Sequence, residues 1–319
     1  MIERAERIER RPLTYRLARD EDLDACAAIW ESGITDYQGR LNLPQFPLDL
    51  GPLRRLLAHI RSTDPTMFWV AARGDPVAPG GERVIGFGSA HVRGNVWFLA
   101  MLFVDPAEQS HGVGRELLLR TFPNGSEPDP DGPLVLGTAT DSAQPISNGL
   151  YARYGIVPRL PVFQLVGRPA LGVLPPLPEG LAVSPMDRSS EADVDAIDEA
   201  VLGYHHPAEH GYLRAADRLG YLYRERDGQA VAYGYTSSLG RVGPIAALSA
   251  DLLPAIAGHV LNVIVPRGAS SLRVTGASAG LFSALLQAGL RIEEFPTLLC
   301  WTRPFADFSR YVPSSLALI

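Results

Sequence analysis

The stretch Leu102–Phe122, LFVDPAEQSHGVGRELLLRTF, decides the fold. An apolar, β-rich run from Val96 to Val104 is stopped by Asp105 and Pro106. Gln109, Gly112 and Gly114 then occupy the mouth of RELLLRTF, a segment with apolar residues at helical spacing. The first turn of a helix has backbone N–H groups without intrahelical partners and carries the positive end of the peptide dipole, so this order suits a phosphate. Gly112 and Gly114 lack a Cβ that would hold a pyrophosphate away, and they tolerate positive φ. Gln109, Ser110, His111, Val113 and Arg115 complete the candidate set. A glycine-containing strand-to-helix turn that binds nothing is the plain alternative for the loop taken alone.

Outward from this stretch, the pattern reads strand, helix, helix, three strands at about residues 67 to 72, 83 to 92 and 95 to 104, helix, strand near 134 to 139, helix, strand. Neighbouring short strands followed by strand-helix-strand imply an antiparallel meander joined to a crossover-linked parallel pair. The expected class is α/β (α+β), with a central, mostly antiparallel mixed sheet flanked by helices.

The same plan recurs in the second half of the chain. TYRLARDEDLDACAAIW from Thr14 corresponds to GLAVSPMDRSSEADVDAIDEAV from Gly180. RVIGFGSAHV from Arg83 corresponds to QAVAYGYTSS from Gln229, and PVFQLVGRP from Pro161 to PTLLCWTRP from Pro296. A repeat of this length is a duplicated domain and not a solenoid unit. The stretch LGVLPPLPEG, Leu171 to Gly180, reads as a semi-rigid linker. The expected division is therefore 1–170, a 171–179 linker and 180–319. PNGSEPDPDG, after the third helix, reads as a solvent-exposed loop.

Composition narrows the function classes. The chain has 319 residues, enough for two cores at 46% hydrophobic content. All 29 basic side chains are arginine and the net charge is −6, without a basic stripe, which argues against a nucleic-acid partner. The charged start MIERAERIERRPL does not read as a signal peptide, and no apolar run is long enough to span a membrane, so a cytoplasmic protein is expected. Two distant cysteines, Cys26 and Cys300, fit buried thiols in a reducing compartment.

The spacing Gln-x-x-Gly-x-Gly after a strand ending Val-x-Pro resembles the acetyl-CoA loop of the GNAT superfamily, the GCN5-related N-acetyltransferases. A second segment, DSAQPISNGLYARYGI from Asp141, resembles the superfamily's later helix motif: Leu150, Tyr151 and Gly155 match, Ser147 and Ile156 are replacements, and Gln144 stands where asparagine is usual. The resemblance implies acetyl-CoA as cosubstrate; no metal is expected, since the two distant cysteines give metal chemistry little support. It implies transfer to a primary amine of a small molecule or peptide N-terminus, with Tyr151 as general acid for the departing thiolate. It also implies cofactor contacts at Gln144, Asn148 and Tyr151, and at the strand backbone of Leu102, Phe103 and Val104. The acceptor site would be lined by Trp30, Tyr37 and Phe46, for each of which simple packing reads equally well.

The superfamily often places a glutamate early in the fourth strand to take the amine proton; here Phe98 stands about there, and NVWFLAMLFV has no acid. A water chain, a carboxylate from the loop between the first two helices, or His91 are the alternatives for a base. In the second half, ALSADLLPAIAGHVL has no glycine pair, and Leu285 stands where tyrosine would align, so the resemblance implies a degenerate domain there. GYHHPAEHGY carries His205, His206 and His210, with His206 and His210 at metal-ligand spacing. No third ligand from another segment suggests itself, so a solvated or cleft-lining polar segment is expected. Together these readings point to a bacterial N-acetyltransferase with one acetyl-CoA site per chain. A non-catalytic acyl-CoA-binding or sensing module is the alternative from another class.

Overall fold

The structure is a computed structural model that describes residues 12–45, 48–125, 128–170 and 172–319. The chain divides into two compact units, one formed by the described residues of 1–91 and 101–127, the other by those of 92–100 and 128–319.

The first unit opens with β1 (Leu13–Leu17), α1 (Leu23–Arg40) and α2 (Gly51–Thr63), followed by β2 (Phe68–Gly74) and most of β3 (Glu82–Arg93). It ends with the last part of β4 (Val96–Val104) and with α3 (Val113–Thr121). β1 pairs antiparallel with β2 from Leu13↔Arg73 to Leu17↔Trp69, and β2 pairs antiparallel with β3 through a bulge at Ala71/Ala72. The entry to α1 is fixed by Asp22, which accepts from the Arg19 backbone at 2.7 Å and from both Arg16 guanidinium nitrogens at 2.6 and 2.9 Å. Val113 and Leu117 of α3 pack against Ala71 and Ile85 of the sheet. The glycines in RVIGFGSAHV follow from that packing: a Cβ on Gly86 would lie 3.1 Å from the Phe103 carbonyl and 3.2 Å from Leu117.

In the second unit, the start of β4 pairs parallel with β5 (Val135–Asp141), from Val96↔Val135 to Leu99↔Thr138. After β5 come α4 (Pro145–Ala152), β6 (Val157–Gly167), β7 (Ala182–Pro185), α5 (Glu191–Leu202), α6 (Pro207–Ala215), β8 (Leu219–Arg224), β9 (Ala230–Thr236) and β10 (Ile245–Ala247). Then follow α7 (Leu253–Asn262), β11 (Ser270–Thr275), α8 (Ala279–Gln287), β12 (Arg291–Ile292), β13 (Thr297–Trp301) and β14 (Tyr311–Val312). The strands expected near 67 to 72, 83 to 92, 95 to 104 and 134 to 139 are β2, β3, β4 and β5.

The compact units do not coincide with the two sequence halves, and the reason is an exchange of strands. β6 and β13 close the two repeats, with Arg168-Pro169 directly after β6 and Arg303-Pro304 one residue after β13. β13, from the second half, lies between β5 and β6 of the first; β6, from the first half, pairs with β11 of the second. The order β5-β13-β6-β11 is antiparallel throughout, so the 1–170 and 180–319 segments exchange the strands β6 and β13. The stretch read as a linker is anchored too: Leu174 is buried in the core with Ile256, Ala257 and Leu285. β14, β10, β9, β8 and β7 form a second antiparallel sheet in this unit.

Candidate active site

β4 ends at Val104, a single tight turn over Pro106–Glu108 follows, and α3 begins after Gly112. The Asp105 carboxylate accepts from the Ala107 N–H at 3.0 Å, and the Gln109 side-chain amide donates to the Val104 carbonyl at 3.0 Å, which ties the loop back to the strand. Gly112 is the N-cap of α3 at φ 81°, where a Cβ would meet nothing within 4 Å. Glycine is needed there for its conformation, not for space. No side chain caps this helix start, and Ser110, His111, Gly112 and Arg115 are exposed. The first-turn N–H groups of Val113, Gly114 and Arg115 are thus open to an anion.

Two carboxylates beside this mouth would repel a phosphate, and both are neutralised by arginines that sequence reading missed. Arg83 pairs with Asp105 at 2.9 Å and with Glu108 at 3.1 Å, and Arg73 pairs with Glu108 at 2.8 Å. Arg73 and Arg83 lie directly across from each other in the β2–β3 register, so a two-residue match on neighbouring strands builds the clamp.

The ladder from β4 to β5 ends at Leu99↔Thr138, although β4 continues to Val104. Phe103 of this continuation stacks on Phe87 at 5.7 Å and lies 6.3 Å from Trp30, so Trp30 and the strand edge come together. Tyr37 is also on α1 and half-buried, while Phe46 lies outside the described residues. Phe98 is 1% exposed and belongs to the core around Val96 and Val135, and His91 is buried in β3.

On α4, Tyr151 is buried, and its hydroxyl shares a hydrogen bond with the Ser147 side chain. Burial pushes its pKa well above the ordinary phenol value, and Cys300 of the exchanged strand β13 adds to the rise. Gln144 is the N-cap of α4 without a side-chain cap bond. Asn148 donates from Nδ2 to the Asp141 and Gln144 carbonyls at 3.1 and 2.8 Å, while its buried Oδ1 has no hydrogen-bond partner. An orphaned buried acceptor at this point fits the N–H of an amide-bearing ligand.

The corresponding edge in the second half is filled by the chain itself. β14 pairs with β10 through Ile245↔Val312 and Ala246↔Tyr311. On its other side Thr275 and Ser278 donate to the Phe308 carbonyl at 2.7 and 3.1 Å, and Arg273 donates to the Ser314 carbonyl at 2.9 Å. The short turn Ala250–Leu252 that leads into α7 carries Asp251 and is capped by the Ser249 side chain, and Leu285 of α8 is fully buried.

The histidine segment has the third group that sequence reading lacked. His206 and His210 face Asp198 of α5, with His210 Nε2 2.8 Å and His206 Nδ1 3.5 Å from Asp198 Oδ2; His205 is exposed. Twelve residues separate Asp198 from His210, and helical patterning alone did not reveal that α5 would present it.

A sequence profile for the acetyltransferase (GNAT) family matches residues 34–155. No curated protein sequence is significantly similar to the chain. A provisionally named acetyltransferase from Pyrococcus horikoshii shares the fold over 99% of each chain at 13% identity, with a TM-score of 0.72. A GCN5-related N-acetyltransferase from Sphaerobacter thermophilus does so at 17% identity and TM-score 0.56, covering 93% of this chain and 98% of the other. A tandem GNAT protein from the clavulanic acid biosynthesis pathway matches at 13% identity and TM-score 0.52, covering 92% and 99%. Among the described residues, no helix is long and apolar enough to cross a membrane.

Proposed function

We propose that the chain is an N-acetyltransferase with one acetyl-CoA site, in the first half, because residues 34–155 match the GNAT family profile and the chain shares its fold with a tandem GNAT protein. Acyl-CoA-dependent acetyl transfer is the family's chemistry; the acceptor proposed here is the primary amine of a small molecule or a peptide N-terminus. The observation that carries the reading is the uncapped start of α3, with φ 81° at Gly112 and its two neighbouring carboxylates clamped by Arg73 and Arg83.

Acetyl-CoA, when bound, supplies the thioester. The N–H groups of Val113, Gly114 and Arg115, with Gln109, Ser110 and His111 around them, hold its pyrophosphate. The β4 backbone of Leu102, Phe103 and Val104 receives its pantetheine arm, and Asn148 Oδ1 accepts from an amide N–H while Gln144 holds the helix start. Most of the rate then comes from placing the amine beside the carbonyl, next to Trp30 and Tyr37, with Phe46 as a further acceptor-site residue.

Tyr151 keeps its proton at every working pH, because burial holds its pKa high. A thiol titrates near 8.5, so full proton transfer from such a hydroxyl would be uphill. Its role is to stabilise the departing thiolate by donating a hydrogen bond as a neutral phenol. Phe98, which stands about where the family often has its glutamate base, is sealed in the core and takes no proton. The second half, whose cofactor edge is covered by residues 308–314, supports the first and takes no acetyl-CoA.

The test is coenzyme A release from acetyl-CoA over a broad amine panel. Amine-dependent release above hydrolysis supports the enzyme. A second reading, a non-catalytic acyl-CoA-sensing module, is favoured by the buried Phe98 at the base position; binding with no amine-dependent release would select it.

A further inference from the structure

The buried cluster between α5, α6 and β9 has the composition and surroundings of a metal centre, and no step of acetyl transfer uses it. Its three candidate ligand atoms, His206 Nδ1, His210 Nε2 and Asp198 Oδ2, come from side chains at most 3% exposed. Ligand atoms of the three residues lie within 4.8 Å of one another. With bonds of about 2.0 to 2.1 Å, two ligands of a tetrahedral ion sit roughly 3.3 Å apart. The 2.8 and 3.5 Å separations from Asp198 to the two histidines bracket that value.

The remaining polar atoms of two of these groups are already oriented from behind. Tyr233 donates to Asp198 Oδ1 at 2.6 Å, leaving Oδ2 for the centre, and the Tyr235 hydroxyl is 3.0 Å from His210 Nδ1, which turns Nε2 inward. A hydrogen bond on the far nitrogen of a histidine and on the far oxygen of a carboxylate is the support that metal ligands receive.

His206 is the informative member. It is 2% exposed, and its Nδ1 has no hydrogen-bond partner although it lies 3.5 Å from a carboxylate oxygen. Tyr204, whose ring is 6.0 Å away, likewise has a buried hydroxyl without a partner. A slot between α5 and α6 is lined by Glu191, Asp195, His210 and Arg214, with Arg214 paired to Glu191 at 3.2 Å, which leaves Asp195 as the carboxylate beside His210.

We propose that Asp198, His206 and His210 bind one divalent first-row transition-metal ion, with zinc as the test species. Two imidazoles and one carboxylate are the ligand set such ions take. The two rings stack at 4.8 Å and 16°, and metal binding turns the His206 ring out of that stack toward the carboxylate. No hydrogen bond holds it there. The competing account is a Tyr233–Asp198–His210 hydrogen-bonded network that needs no ion.

The full chain, stripped with a chelator, is titrated with zinc and with cobalt(II). The proposal expects one zinc per chain by elemental analysis, a higher melting temperature with zinc, and the visible absorption of tetrahedral cobalt. His206→Leu is close to histidine in volume and breaks no hydrogen bond, and His206→Phe keeps a planar ring at somewhat larger volume; whichever of the two folds as the wild type does by circular dichroism should bind zinc at least about 100-fold more weakly, beyond the loss usual for a supporting residue. Absence of bound zinc and of a cobalt spectrum in the wild-type chain overturns the proposal, as does zinc affinity unchanged in a folded His206→Leu or His206→Phe chain.

Discussion

Replacing Gly112 by glutamine and, separately, by glutamate isolates the electrostatics of the α3 start. Both side chains meet the same backbone requirement, φ 81°, and both project into space where a Cβ touches nothing within 4 Å. Their shared cost is the left-handed conformation, about 1–2 kcal/mol, so the two variants should lose stability equally. They differ by one charge, placed where the account puts the pyrophosphate. Two unit charges roughly 4 Å apart repel by about 1 kcal/mol in bulk water and about 4 kcal/mol at an effective dielectric constant near 20. Gly112→Glu should therefore bind acetyl-CoA roughly 5- to 1,000-fold more weakly than Gly112→Gln, by isothermal titration calorimetry at low ionic strength, with the gap narrowing as salt is added. Equal affinities in the two variants would refute the assignment of the phosphate to this helix start.

Removing the clamp should act on the same ligand: Arg83→Gln leaves Asp105 without its arginine, and acetyl-CoA affinity is expected to fall by about 2- to 5-fold, as for loss of an exposed ion pair of up to about 1 kcal/mol, with the fold retained by circular dichroism. Tyr151→Phe should lower turnover with little change in acetyl-CoA affinity. Because the Tyr151 pKa is raised, the wild-type rate should show no limb near pH 10 that the phenylalanine variant lacks. Cys300 is buried, with its thiol pushed up to about 12, and Cys26 is more deeply desolvated still. Neither should react with a disulfide reagent at pH 8 until the chain unfolds, so thiol assays of the native protein read released coenzyme A alone. At Asp22, burial raises the pKa but the Arg16 hydrogen bonds and the Arg19 N–H outweigh it, and the net shift is downward. The stabilisation is present above the ordinary carboxylate range and lost as pH falls through the depressed value; Asp22→Asn should cost about 1.5–3 kcal/mol at pH 7 in denaturant melts and flatten that acid limb.

Local order made much of this legible in the sequence. The halt at Asp105-Pro106, the glycine at the helix mouth and the alternating apolar runs are each set by neighbours along the chain, so β2 to β5 and α3 fall where the pattern puts them. Pairing between distant strands is not set that way. PVFQLVGRP and PTLLCWTRP were recognisable as the ends of two repeats, but nothing in either says that β13 lies between β5 and β6. Both are apolar strands with similar faces, and either position buries them. The candidate site divides likewise. Gln109 and Gly112 could be named from spacing, whereas Arg73 and Arg83 become partners of Glu108 and Asp105 only through the β2–β3 register. Asp198 joins His206 and His210 because two helices pack together. Leu285 and the missing glycine pair marked the second half as degenerate, but its covered strand edge depends on residues some sixty positions further on, Tyr311 and Val312 against Ile245 and Ala246.

The most direct measurement is the number of acetyl-CoA molecules bound per chain, counted by titration calorimetry on the wild type and on Gly112→Glu. The account expects one site per wild-type chain, lost or severely weakened in the variant, because β14 covers the second edge. Two sites per chain, or a single site that persists unchanged in Gly112→Glu, would contradict it.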